Sequence, residues 1–232
     1  MIYSEILSAF DSANVSALAV LLLCWLLYPL FAKLIGSSDL TSEMVKFRGQ
    51  WLLQMLARED RITDISLARG LFSSVMFFAS TSIFLISGLL GVLASASYIH
   101  QLMQDSTWLV HSSVLLFETK VLVLIAIQVH SFFKFTWSMR LHSYSTLLIG
   151  AAPGPDQQDS EAARKLIEKA ASLSSLASQS YFSGLRGYYF GLAALSWFIS
   201  PSLLIATVIL TTLILLRREH FSRALKALQL DD

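Results

Sequence analysis

Gly187 to Leu216 reads GYYFGLAALSWFISPSLLIATVILTTLILL, thirty residues without a charged side chain and with Pro201 at their centre. One helix of that length measures about 45 Å, against about 30 Å of bilayer hydrocarbon. Two architectures fit the stretch. It is either one long proline-kinked helix or a tight hairpin of two short spans, 187–200 and 202–216. The choice fixes the number of crossings and the side on which the chain ends.

Composition places the stretch in a membrane protein. Of 232 residues, 55% are hydrophobic and 14% charged, whereas soluble domains carry about a quarter charged residues. Three more apolar runs long enough to span are expected over 15–35, 71–98 and 114–137. Glu5 and Asp11 precede the first run with no Lys or Arg. That is the wrong sign for a secretory signal, so the run is expected to remain as a span. Span two carries the small residues Ser80, Ser87, Gly88, Gly91 and Ser95, and Ser87 with Gly91 has the spacing of a helix-packing face. Cys24 is the only cysteine and sits in an apolar run, so its expected role is packing.

The polar segments between spans carry helical periodicity. Met44, Phe47, Trp51, Leu52, Met55 and Leu56 predict an amphipathic helix over 42–60, with Lys46, Arg48, Arg58, Arg61 and Arg69 toward phosphates and water. Arg61 and Asp64 are spaced to pair. After the Pro153-Gly154-Pro155 breaker, a cap at Asp159 or Ser160 opens a second amphipathic helix over 160–179. Its expected ion pairs are Glu161 with Lys165 and Arg164 with Glu168. The fold class is therefore all-α: a polytopic helical membrane domain of three full spans, a proline-centred C-terminal pair, and two interfacial or cytoplasmic helices.

Charge decides between the two architectures. Lys and Arg gather in 33–69, in 134–186 and in the tail at Arg217, Arg218, Arg223 and Lys226, and only Lys120 lies elsewhere. The positive-inside rule asks for one side. The tail joins the other groups only if 187–216 crosses twice. That predicts five crossings in the inner (cytoplasmic) membrane, with the N-terminus outside and the C-terminus in the cytoplasm.

Span three holds the ionisable residues that hydrocarbon penalises: Glu118, Lys120, His130 and Lys134. Lys134 and Glu118 are near enough to the ends to snorkel. His130 and Lys134 share a helical face. Arg140, Arg186, Arg217 and Arg218 fall at expected cytoplasmic ends, where they serve topology or bind anionic lipid head groups. No cofactor is expected. Haem on His130 lacks a second histidine at similar depth, because His100, His111, His142 and His220 lie at or beyond span ends. His100 and His111 with Asp105 and Glu118 are suitable metal-ligand types, but their spacing matches no compact motif. No basic stripe for nucleic acid, hydrolase constellation or phosphate loop is present.

The residues Arg48, Trp51, Arg58, Arg61 and Asp64; Phe77-Phe78-Ala79-Ser80-Thr81; and Lys134-Phe135-Thr136-Trp137-Ser138-Met139-Arg140 with Gly150-Ala151-Ala152-Pro153 form a recurring set. With Gly184-Leu185-Arg186-Gly187-Tyr188-Tyr189-Phe190, Trp197, Pro201 and Arg217-Arg218-Glu219, the chain resembles the domain of unknown function 599 family over nearly its whole length. The resemblance implies a multi-pass membrane protein, mostly bacterial, and carries no activity, ligand or catalytic residue. The expected role is a non-catalytic scaffold, accessory or assembly subunit of a membrane complex, with self-association or other membrane subunits as partners. The alternative is a small proton-coupled transporter using Glu118, His130 and Lys134.

Overall fold

The computed structural model describes residues 11–36, 39–104 and 113–228, and every regular element among them is helical. In chain order these are α1 Ser12–Ile35, α2 Leu40–Leu56, α3 Ile62–Ala94, α4 Ala96–Gln104, α5 Val114–Gly150, α6 Glu161–Ala194, α7 Pro201–His220 and α8 Arg223–Leu228. Short 3-10 turns occupy Pro155–Gln157 and Leu195–Phe198. Four helices, α1, α3, α5 and the one beginning at Pro201, are long and apolar enough to cross a membrane, as in a multi-pass membrane protein.

Local chemistry sets most of the boundaries. The Asp11 carboxylate accepts from Ala13 N at 2.7 Å and opens α1; Asp39 accepts from Ser42 N at 2.7 Å and opens α2. Asp60 receives Ile62 N at 2.8 Å before α3. Ser160, one of the two expected caps, accepts from Ala163 N at 3.2 Å and opens α6.

Several helices outrun their apolar cores. Helix α3 begins at Ile62, not near 71, and α5 continues from the expected end near 137 to Gly150. The second interfacial helix, expected over 160–179, runs unbroken to Ala194, so 187–200 forms no separate helix and is instead the end of α6 and its 3-10 turn. Hydropathy marks where lipid contact starts and stops; a helix ends only at a cap, a glycine or a proline.

The chain divides into two compact units, one of Met1–Ser37, Ser82–Ser131 and Leu185–Arg218, the other of Ser38–Thr81, Phe132–Gly184 and Glu219–Asp232. In the first, Ala17, Leu21 and Tyr28 of α1 join Leu124 and Ile127 of α5, Phe190 and Trp197, and Leu204 and Val208 of α7 in one core. In the second, Leu52, Met55 and Leu56 of α2 pack with Ile149, Ala163, Ile167 and Ala170.

In each unit α5 and α6 run antiparallel at close range. Within the second, the Ser138 hydroxyl donates to Ala177 O at 2.7 Å and Ser145 to Ala170 O at 2.8 Å. Seven residues along α5 are thus matched by seven back along α6. The same step recurs in Ser131, Ser138, Ser145 and Ala152, and in Ala163, Ala170, Ala177, Gly184 and Gly191. Small side chains at that period let backbones approach until a serine hydroxyl reaches the opposing carbonyl. By contrast, Ser87, Gly88 and Gly91 of α3 are exposed, and Cβ atoms added at Gly88 and Gly91 meet nothing within 4 Å. The small-residue face expected to pack lies open in this chain.

Candidate functional site

The break at the centre of the opening stretch is built by three residues. Ser200 caps α7 by accepting from Leu203 N at 3.1 Å, and Pro201 takes the first helical position, where its missing N–H costs least. In a continuous helix, residue 201 would donate to the carbonyl of Trp197. Proline withholds that donor. Lys120, from the second turn of α5 and 3% exposed, supplies it instead: its ammonium donates to Trp197 O at 3.0 Å and lies 5.7 Å from the ring centroids of Trp197 and Phe198. The Trp197 indole N–H donates to Asn14 Oδ1 of α1 at 2.9 Å. One turn of chain thereby ties α1, α5, α6 and α7.

Beyond the break the chain doubles back. Thr207 Oγ1 donates to Ala193 O at 3.3 Å and shares a hydrogen bond with Ser196 at 2.8 Å. Arg218 reaches Tyr189, donating to its hydroxyl at 3.4 Å with the guanidinium 5.9 Å from the ring centroid. A straight continuation would separate positions 189 and 218 by about 44 Å along the axis, so the hairpin, and not the kinked helix, is the architecture. Its closeness to α5 comes from glycines: a Cβ at Gly187 would stand 2.1 Å from Ser131 Oγ, and one at Gly191 3.0 Å from Gln128 Nε2.

His130 is half-buried with its ring edge-on to Trp25, the centroids 5.1 Å apart. Glu118 and Lys134 are half-buried. The arginines expected to form a cationic rim engage aromatic rings: Arg140 lies 5.9 Å from the Trp137 centroid, Arg186 5.1 Å from that of Tyr28, and Arg218 against Tyr189 as above, while Arg217 is exposed. His111 and Asp105 lie outside the described residues, and so does the His100 side chain; no group of three metal-ligating side chains occurs among the described residues.

A second polar cluster occupies the other unit. Asp64, 0% exposed, accepts through Oδ1 from Trp51 Nε1 at 2.7 Å and from Arg58 Nη1 at 2.6 Å, and its Oδ2 has no hydrogen-bond partner. Arg61 does not pair with Asp64 as its spacing predicts. Its guanidinium donates to Ala152 O at 2.8 Å and to Pro153 O, satisfying carbonyls at the frayed end of α5. Arg164 likewise turns from Glu168 to Asp159 at 3.6 Å, while Glu161 and Lys165 pair at 2.5 Å as expected. Two of the arginines read as facing water and phosphate, Arg58 and Arg61, are thus used within the fold. Arg48 donates through Nη2 to Ser178 Oγ at 2.8 Å, and burial lowers its pKa from the ordinary arginine value. Its charge acts on His142, which is 5% exposed.

Sequence reasoning missed Asn14 and Ser145, placed His142 only at or beyond a span end, and knew Ser138 and Trp197 only through resemblance. The seven-residue step of serines along α5 was the available signal for two of them; nothing local marks Asn14 or His142. Comparison with curated proteins and with solved structures gives no match. The family match spans residues 16–224, and it takes in the hairpin, the Asp64 cluster, and Lys120 and Trp197 but not Asn14 of the first cluster. The chain therefore belongs to the family described as protein of unknown function, DUF599.

Proposed function

We propose that the protein is a non-catalytic helical scaffold or accessory subunit of a membrane complex. The observation that carries this reading is how the polar groups along its helices are used. Lys120, Asn14, Ser138, Ser145 and Thr207 each hydrogen-bond to another segment of the chain, so their chemistry goes into fixing helix positions. The reading places the chain in the inner membrane with its tail in the cytoplasm, and Arg140, Arg186, Arg217 and Arg218 toward anionic head groups. The exposed apolar face of α3, with Gly88 and Gly91 open, provides room for a second membrane subunit or another copy.

A second reading, a proton-coupled transporter working through Glu118, His130 and Lys134, draws on Gln128, whose Oε1 is buried without a hydrogen-bond partner two residues from His130. Purification in mild detergent with mass spectrometry and a visible absorption spectrum separates the two. The scaffold reading expects a stoichiometric partner subunit and no haem band. A protein that runs alone as a symmetric oligomer, with proton-coupled uptake abolished by His130→Ala, contradicts it.

A further inference from the structure

Between α2 and the first turns of α3 lies a cavity of about 630 Å³ walled by Met44, Phe47, Trp51, Leu67 and Leu71, with Arg48 as its one charged residue. Small-molecule sites run about 300–1,000 Å³ and pair apolar walls with a few polar groups. Trp51 offers only its ring, because its N–H is committed to Asp64.

Arg48 stands out for what it lacks. Ser178 holds Nη2, while Nη1 is enclosed and has no hydrogen-bond partner. No carboxylate pairs with it among the described residues: Asp64 is engaged by Arg58, and Glu43 by Lys46 at 2.8 Å. A half-buried arginine charge beside apolar walls, with one nitrogen enclosed and no counter-ion, is costly. An anion would complete it, and the walls call for hydrocarbon attached to that anion. Gly70 and Leu71, which line the cavity, also begin the uncharged run that continues to Gln104. The cavity therefore meets the chain where polar sequence gives way to membrane sequence, the level at which head groups lie.

We propose that this cavity holds one acyl chain of an acidic phospholipid, with the lipid phosphate against Arg48. The site is separate from the scaffold role and rests only on the chain's lying in a membrane. It is also separate from the arginines at the span ends, which meet head groups without a cavity.

The test uses the full chain, delipidated by detergent exchange and incubated with phosphatidylglycerol or phosphatidylcholine, with retained lipid read by native mass spectrometry. Wild-type protein is expected to keep one phosphatidylglycerol in preference to phosphatidylcholine. Arg48→Gln is expected to lower that retention about tenfold, the scale of one charge-assisted contact. Leu67→Trp fills the cavity with Arg48 intact and is expected to lower it as well, so the test survives if Arg48→Gln does not fold. Equal retention of the two lipids by wild type overturns the proposal, as does retention unchanged in a folded Arg48→Gln or Leu67→Trp variant. Displacement by inorganic phosphate alone would assign Arg48 to a soluble anion and also overturn it.

Discussion

A proline in a helical run leaves the carbonyl four residues back without its N–H donor, and a buried backbone group left unsatisfied costs about 1–3 kcal/mol. Pro201 strands that of Trp197, and Lys120 answers it from another helix. This gives the one Lys or Arg outside the three basic groups of the sequence a structural reason: its position is set by an acceptor. Lys120→Met is expected to destabilise the protein by about 2 kcal/mol, or about 4–8 °C in a detergent melting curve. Pro201→Ala supplies the missing N–H, so the double variant should lose at least about 1 kcal/mol less than the two single losses combined. Strict additivity would show that the two residues do not share the carbonyl. Around Asp64 the asymmetry runs differently. Arg58→Ala leaves a fully buried carboxylate held only by Trp51, at an expected cost of about 2–3 kcal/mol. Asp64→Asn keeps an acceptor for Trp51 and releases an arginine whose side chain is 45% exposed, at about 1 kcal/mol or less. Melting curves in which Asp64→Asn is the more damaging variant would contradict this.

At the scale of elements, the α5–α6 pair depends on having no side chain where backbones approach. A Cβ at Gly184 would stand 2.6–2.9 Å from three atoms of the Phe135 ring, which is 0% exposed. Gly184→Ala and Gly187→Ala are each expected to cost about 1–3 kcal/mol as overpacking, the first more, because a buried ring yields less than a hydroxyl. Ser131→Ala removes the atom 2.1 Å from the Gly187 position and should restore part of the second loss. Gly88→Ala and Gly91→Ala, in open space, should be neutral or stabilising by up to about 1 kcal/mol; equal losses at all four glycines in melting curves would contradict the account. The apolar runs and their order were legible in the sequence because uninterrupted hydrophobicity is a local property. The helix extensions were not: α5 from 138 to 150 is polar enough to read as a connection, and Gly184 and Gly187 read as a break between the helix expected over 160–179 and the apolar run that follows, where α6 in fact continues to Ala194. Nor was the pairing of Arg58, in place of Arg61, with Asp64: spacing along one helix cannot register that the carbonyls of Ala152 and Pro153 offer Arg61 a better partner.

Over the whole molecule, α5 is the organising span. In its most apolar stretch 44% of residues are buried, against 17% in α1 and in α3 and 22% in the helix beginning at Pro201. The others present leucines and phenylalanines outward, as helices facing lipid do. The four ionisable residues that the sequence places in span three are therefore of two kinds. Lys120 has a structural assignment, while Glu118, His130 and Lys134 remain the residues that the transporter reading needs. Nothing in that division depends on activity. It depends on the chain reversing at Ile199 and Ser200, which brings the Trp197 carbonyl to Lys120.

Cysteine accessibility in sealed vesicles of known orientation tests that reversal most directly, with Cys24 replaced by serine and a single cysteine introduced as Ser200→Cys or Ser222→Cys. The account predicts that an impermeant maleimide labels the Ser200→Cys protein only from the extracytoplasmic side and the Ser222→Cys protein only from the cytoplasmic side. Labelling of Ser222→Cys from outside, with Ser200→Cys inaccessible from either face, would contradict it.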